Sequence, residues 1–67
     1  MRSTTAELPE LLTAAQTAEY IGVSEDALAQ DRYLGRGLPY VRVGRRIRYR
    51  AGDIAAYLEA NTVRPGT

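Results

Sequence analysis

Between Tyr40 and Arg50, apolar and arginine residues alternate on both sides of a Gly44-Arg45 pair. Val41 and Val43 bracket Arg42, and Ile47 and Tyr49 interleave with Arg46, Arg48 and Arg50. Period-two patterning around a glycine-containing turn is the mark of a β-hairpin. Taken strand by strand, the pattern predicts one apolar face that packs on a core and one face made almost entirely of arginine.

The flanking sequence supplies that core. Thr13 followed by Gln16 fits a capping box, in which the hydroxyl accepts from the third helical N–H and the amide reaches back. Ala14, Ala18 and Ile21 then recur at helical spacing. Gly22 ends this helix, because glycine enters the left-handed conformation without a Cβ penalty. Val23 is expected to plug the core. Ser24 is a second N-cap, with Glu25 and Asp26 placed where the helix dipole favours negative charge. The second helix runs to about Leu34, and Gly35, Gly37 and Pro39 break it into a loop. After the hairpin, Ala51-Gly52-Asp53 opens a third helix with Ile54, Tyr57 and Leu58 on one side.

The expected fold is therefore α+β: a small winged helix-turn-helix with a two-stranded antiparallel wing and a third helix. The first two helices are too short to persist alone, since nucleation is costly. They need one another, the hairpin and the third helix to bury Ala18, Ile21, Leu28, Val41, Ile47, Ile54 and Leu58. The domain spans residues 11–61. Residues 1–10, polar and carrying Pro9, read as a flexible arm, and residues 62–67, with Pro65 and Gly66, as a flexible tail.

Composition narrows the function. The 67 residues allow one domain, near the lower size limit for folding without staples. The chain has no cysteine and no histidine, so disulfides, thiolate metal sites, the commonest zinc ligand and the commonest general base are all missing. No run approaches the apolar length of a membrane span, and Met1 to Leu12 shows no signal pattern. A soluble, cytoplasmic protein is expected. Net charge is only +1, yet seven of the nine basic residues, all arginine, fall between Arg32 and Arg50, a stretch free of Asp and Glu. All the acids lie elsewhere, so one face is basic, and basic faces meet polyanions. The plain alternative for the hairpin is an edge strand charged against sheet-to-sheet aggregation. Mixed signs would serve that end, whereas a single-sign set fits a polyanion. Glu25, Asp26 and Asp31 share one short helix but meet no second carboxylate cluster, and no catalytic pair is visible, so no enzyme is expected.

Leu12 to Ser24 (LTAAQTAEYIGVS) resembles the start of the excisionase-type, MerR-like winged helix domain. Gly37 to Arg50 (GLPYVRVGRRIRYR) resembles its wing, and Asp53-Ile54 with Tyr57-Leu58 its closing helix. The resemblance implies that the second helix enters the DNA major groove and that the wing meets the adjacent backbone or minor groove. In the family the position of Asp31 is usually a large aromatic. Here the carboxylate either accepts from cytosine N4 or tethers a wing arginine, the second being the favoured reading.

On that helix Ala27, Gln30 and Tyr33-Leu34 lie at or near the solvent side. Gln30 is the candidate base reader, since its amide can pair with adenine N6 and N7; a plain solvated glutamine is the equal alternative. Ser24 either donates to phosphate or simply caps. Arg32 and Arg36 flank the helix end and are expected to meet phosphate. On the wing, Arg45 and Arg46 sit at the tip, where an arginine can enter a narrow minor groove, and Arg42, Arg48 and Arg50 project from the strands. No cofactor or metal is expected. The resemblance implies an excisionase that binds repeated sites cooperatively, self-associates head-to-tail along DNA, bends it, and partners a phage integrase in the cytoplasm of a bacterial host. A small AlpA- or MerR-like transcription regulator is the second reading, and a protein-binding module a third. The chain ends soon after the third helix, so no effector domain is expected.

Overall fold

Thr13 is where the chain changes direction, and the computed structural model, which describes residues 8–66, shows how. Its hydroxyl accepts from the Gln16 N–H at 3.0 Å while Gln16 Oε1 accepts from the Thr13 N–H at 2.9 Å. The capping box opens helix α1, Ala14–Ile21. Thr17, fully buried, donates its hydroxyl to the Thr13 carbonyl at 2.8 Å. Gly22 closes α1 in the left-handed region at φ 81°, and the N–H groups of Gly22 and Val23 both donate to the Ala18 carbonyl. Ser24 Oγ then accepts from the Ala27 N–H at 3.0 Å and starts helix α2, Glu25–Leu34. Both caps stand as the sequence predicts. The proposed arm falls mostly on residues 1–7, which with Thr67 lie outside the described residues.

The hairpin forms strands β2, Val41–Val43, and β3, Arg46–Arg50. Gly44 at the first central turn position has φ 62°, and no non-glycine among the described residues has positive φ, which is the pattern of a type II′ turn. Two features depart from expectation. The wing is extended by a further strand, Leu11–Thr13, which pairs antiparallel with β3. With this strand named β1, the sheet order is β1-β3-β2 and β3 is central. The Ala51 N–H also donates to the Glu10 carbonyl, so the chain just before β1 is tied to the wing root.

The second departure is a correction of the two faces. Val43 pairs with Arg46, Arg42 with Ile47, and Val41 with Arg48. Directly opposed residues of an antiparallel pair share a face. A two-residue turn necessarily pairs an odd-numbered residue with an even-numbered one, so the valines join the arginines. The outer face carries Arg46, Arg48 and Arg50 flanked by Val41, Val43, Leu11 and Thr13. Arg42 lies on the helix side with Ile47, Tyr49 and Leu12. The prediction of one apolar face and one arginine face does not hold.

Helix α3, Ala51–Ala60, follows β3 without a loop. Its N-cap, Arg50, makes no capping hydrogen bond but donates from Nε to Asp53 Oδ2 at 2.8 Å. The core is Ala18, Leu28, Leu38, Tyr49 and Ile54, with Leu12, Ala14, Ile21, Ile47 and Tyr57 packed against it. Of the expected core, Ala18, Leu28 and Ile54 are buried and Ile21 and Ile47 partly so. Val41 is half-buried on the outer face, Leu58 lies at the rim, and Val23, the expected plug, is exposed. Val23 lines a shallow cleft with Ile21, Ala27 and Tyr57, because its backbone is held by the Ala18 carbonyl at the helix end. Leu38, from the glycine- and proline-rich loop, fills the core instead.

Candidate nucleic-acid interface

Leu28 fixes which side of α2 faces inward, and its helical geometry then fixes the opposite stripe. Asp26, Gln30 and Tyr33, at i, i+4 and i+7, point away from the core, with Tyr33 87% exposed. Ala27 is exposed at the edge of the cleft toward α3. Ser24 uses its oxygen as a cap acceptor, as the capping reading anticipates.

Arg32, four residues after Leu28, turns inward. It is half-buried and donates from Nη1 to the Tyr49 hydroxyl at 2.7 Å. Its guanidinium carbon also lies 5.9 Å from the centroid of the Tyr40 ring, within cation–π range. The Tyr40 and Tyr49 rings are 6.4 Å apart and tilted by 54°. Arg36 donates from Nε to Asp31 Oδ1 at 3.0 Å and stays largely exposed. Asp31 therefore tethers an arginine, but one from the loop after α2 and not from the wing. The loop curls back over this carboxylate: Gly37 has φ 85°, and a Cβ there would lie 2.8 Å from Asp31 Oδ2. Only glycine meets both conditions without strain.

On the wing, Arg42, Arg45 and Arg46 are exposed, and their side chains make no hydrogen bond or ion pair among the described residues. Arg48 is half-buried and donates to the carbonyl of Ile47 at 2.8 Å, and Arg50 is paired with Asp53. The unpartnered cations thus collect toward the tip, on both faces of the hairpin. Among the described residues no group of acids is placed to hold a metal ion. Sequence reasoning overlooked Tyr40 and Tyr49 as the seat of Arg32. The available signal was a tyrosine at an inward strand position, whose hydroxyl requires a partner when buried.

Residues 11–62 match the family described as the helix-turn-helix domain, a family of small excisionase- and AlpA-like DNA-binding domains. The chain belongs to this family. The match takes in every element from β1 to the end of α3, so the helix-turn-helix is α1, Gly22 and α2, and the hairpin is its wing. No curated protein sequence matches the chain. Among the described residues no helix is long and apolar enough to cross a membrane.

Proposed function

We propose that this DNA-binding domain acts as an excisionase: it binds repeated sites beside a phage attachment site, bends the DNA and directs an integrase toward excision. In this reading α2 enters the major groove and presents Gln30 and Tyr33 to base edges. The hairpin reaches the neighbouring backbone and minor groove with Arg42, Arg45 and Arg46, and Arg36 meets a flanking phosphate. The observation that carries the reading is the pairing of an outward polar stripe on α2 with a hairpin tip bearing unpartnered arginines on both faces. A minor groove has a phosphate wall on each side, so cations on both faces of an inserted ribbon are neutralised together.

A single module of this size covers on the order of 600–1,000 Å² of DNA-binding surface, so occupancy benefits from neighbours. Head-to-tail contacts do not close, so copies would form an array along direct repeats. Wings gripping successive backbones would hold the DNA bent, the cost of a few kcal/mol being offset by added contacts. The test is a gel-shift and bending assay on a phage attachment region, followed by recombination with the integrase that acts on it. Cooperative binding, a bend, and stimulated excision with suppressed integration are expected. Binding to one palindromic promoter site, with no bend and no effect on recombination, would replace this reading with that of a transcription regulator.

A further inference from the structure

We propose that Arg32 is a positioning residue, a strut that fixes the angle between α2 and the wing, with its guanidinium committed to Tyr49 and Tyr40 and not to phosphate. α2 packs chiefly on α1, while the sheet takes its helix contacts from α1 and α3. Among the described residues, one side-chain hydrogen bond crosses from α2 to the sheet, that of Arg32 Nη1 with the Tyr49 hydroxyl. Tyr49 is a rigid anchor: it sits on the central strand and is 1% exposed. Tyr40, just before β2, supplies the ring beside the same guanidinium, so the one cation touches the chain entering the wing and the strand leaving it. A planar guanidinium holds a hydroxyl and an aromatic ring together in a way an ammonium does not. Its half-buried setting contrasts with that of Arg36, Arg42, Arg45 and Arg46, which are exposed.

The consequence concerns recognition. A helix reading bases and a wing gripping backbone engage one duplex together only when their angle is set beforehand, which lowers the cost of ordering on binding. Loosening the strut weakens binding where both contacts must coincide and spares binding that uses phosphate alone.

Three proteins test this: wild type, Tyr49→Phe, which keeps the ring and every charge, and Arg32→Gln. The first readout needs no DNA. Residual dipolar couplings of the backbone amides report the orientation of α2 relative to the sheet. One fixed orientation is expected in the wild type, and averaged α2 couplings in Tyr49→Phe with all elements intact. Unchanged α2 couplings in Tyr49→Phe overturn the proposal.

The second readout rests on the DNA-binding reading. It titrates each protein, across salt, with a duplex selected by the wild type from a random library and with a scrambled duplex. Each variant is expected to lose about tenfold or more on the selected duplex, the scale of one hydrogen bond to a charged group, and little on the scrambled one. The salt slope should stay the same, and the double variant should lose no more than either single one. A slope shallower by about 0.9 in Arg32→Gln, with Tyr49→Phe silent, would make Arg32 a phosphate ligand and overturn the strut. A wild type that binds no duplex would sink the DNA reading, and the couplings would still decide the strut.

Discussion

The outward stripe of α2 runs through Asp26, Gln30 and Tyr33, whereas the hairpin tip carries Arg42, Arg45 and Arg46 with no partner among the described residues. The N-terminus of α2 would by itself attract phosphate, but Glu25 and Asp26 already occupy its first turn. They stabilise the helix through its dipole and leave its exposed surface without net positive charge. The wing has the opposite construction, a five-residue central strand whose outward positions are all arginine. The difference teaches a division of labour. In the proposed reading, electrostatic attraction, which is blind to sequence, is the work of the hairpin, and the neutral Gln30 and Tyr33 of α2 discriminate among bases.

The largest effect expected from this division is salt dependence. With about four phosphate contacts, from Arg36, Arg42, Arg45 and Arg46, log K against log salt should slope by roughly −3.6, a loss of affinity of about 150-fold between 50 and 200 mM salt. Arg46→Ala should make the slope shallower by about 0.9 and weaken binding by a similar factor on every duplex. A titration showing affinity nearly constant over that salt range would break the assignment of attraction to the wing.

Gln30→Ala should act in the complementary way. A loss of ~1–3 kcal/mol on the preferred sequence, little loss on scrambled DNA and an unchanged salt slope are expected if the amide pairs with a base. Binding selection with the variant protein checks this. An unaltered preference would reduce Gln30 to a solvated surface residue and leave Tyr33 as the outward candidate.

The smallest effect is expected at Ser24. Removing the cap in Ser24→Ala should cost about 1 kcal/mol of stability, read from denaturant unfolding. Well below the melting temperature, DNA affinity should stay close to wild type. A fall in affinity with unchanged stability would move Ser24 from cap to phosphate donor.

Local chemistry was readable in the sequence, and relations between distant segments were not. The capping box of Thr13 and Gln16, the Gly22 and Gly35 helix ends and the Ser24 cap are each encoded within a few residues. The hairpin was placed correctly, but alternation reveals the period of each strand and not the phase between them. That phase came from the two-residue turn, which moved Arg42 to the helix side and Val41 and Val43 to the outer face. β1 is three residues long, too short to show a period, and its pairing lies across the whole domain. Leu38 is set among glycines and proline, where an isolated leucine carries no pattern. The hydrogen bond from Arg32 to Tyr49 spans seventeen residues, so the sequence around Arg32 carries no sign of it.

The β1–β3 ladder also bears on how the domain comes to be folded. Leu11 pairs with Arg50 and Thr13 with Arg48, so these contacts join the first element to the last strand. The α1–α2 pair and the β2–β3 hairpin are formed between neighbours in sequence and close quickly, because their loops are short. The ladder must instead close a loop that contains both of them, and contacts of such separation slow folding. Its formation turns two local pieces into one cooperative unit, so the rate-limiting event in folding is expected to be the arrival of Leu11–Thr13 at the free edge of β3.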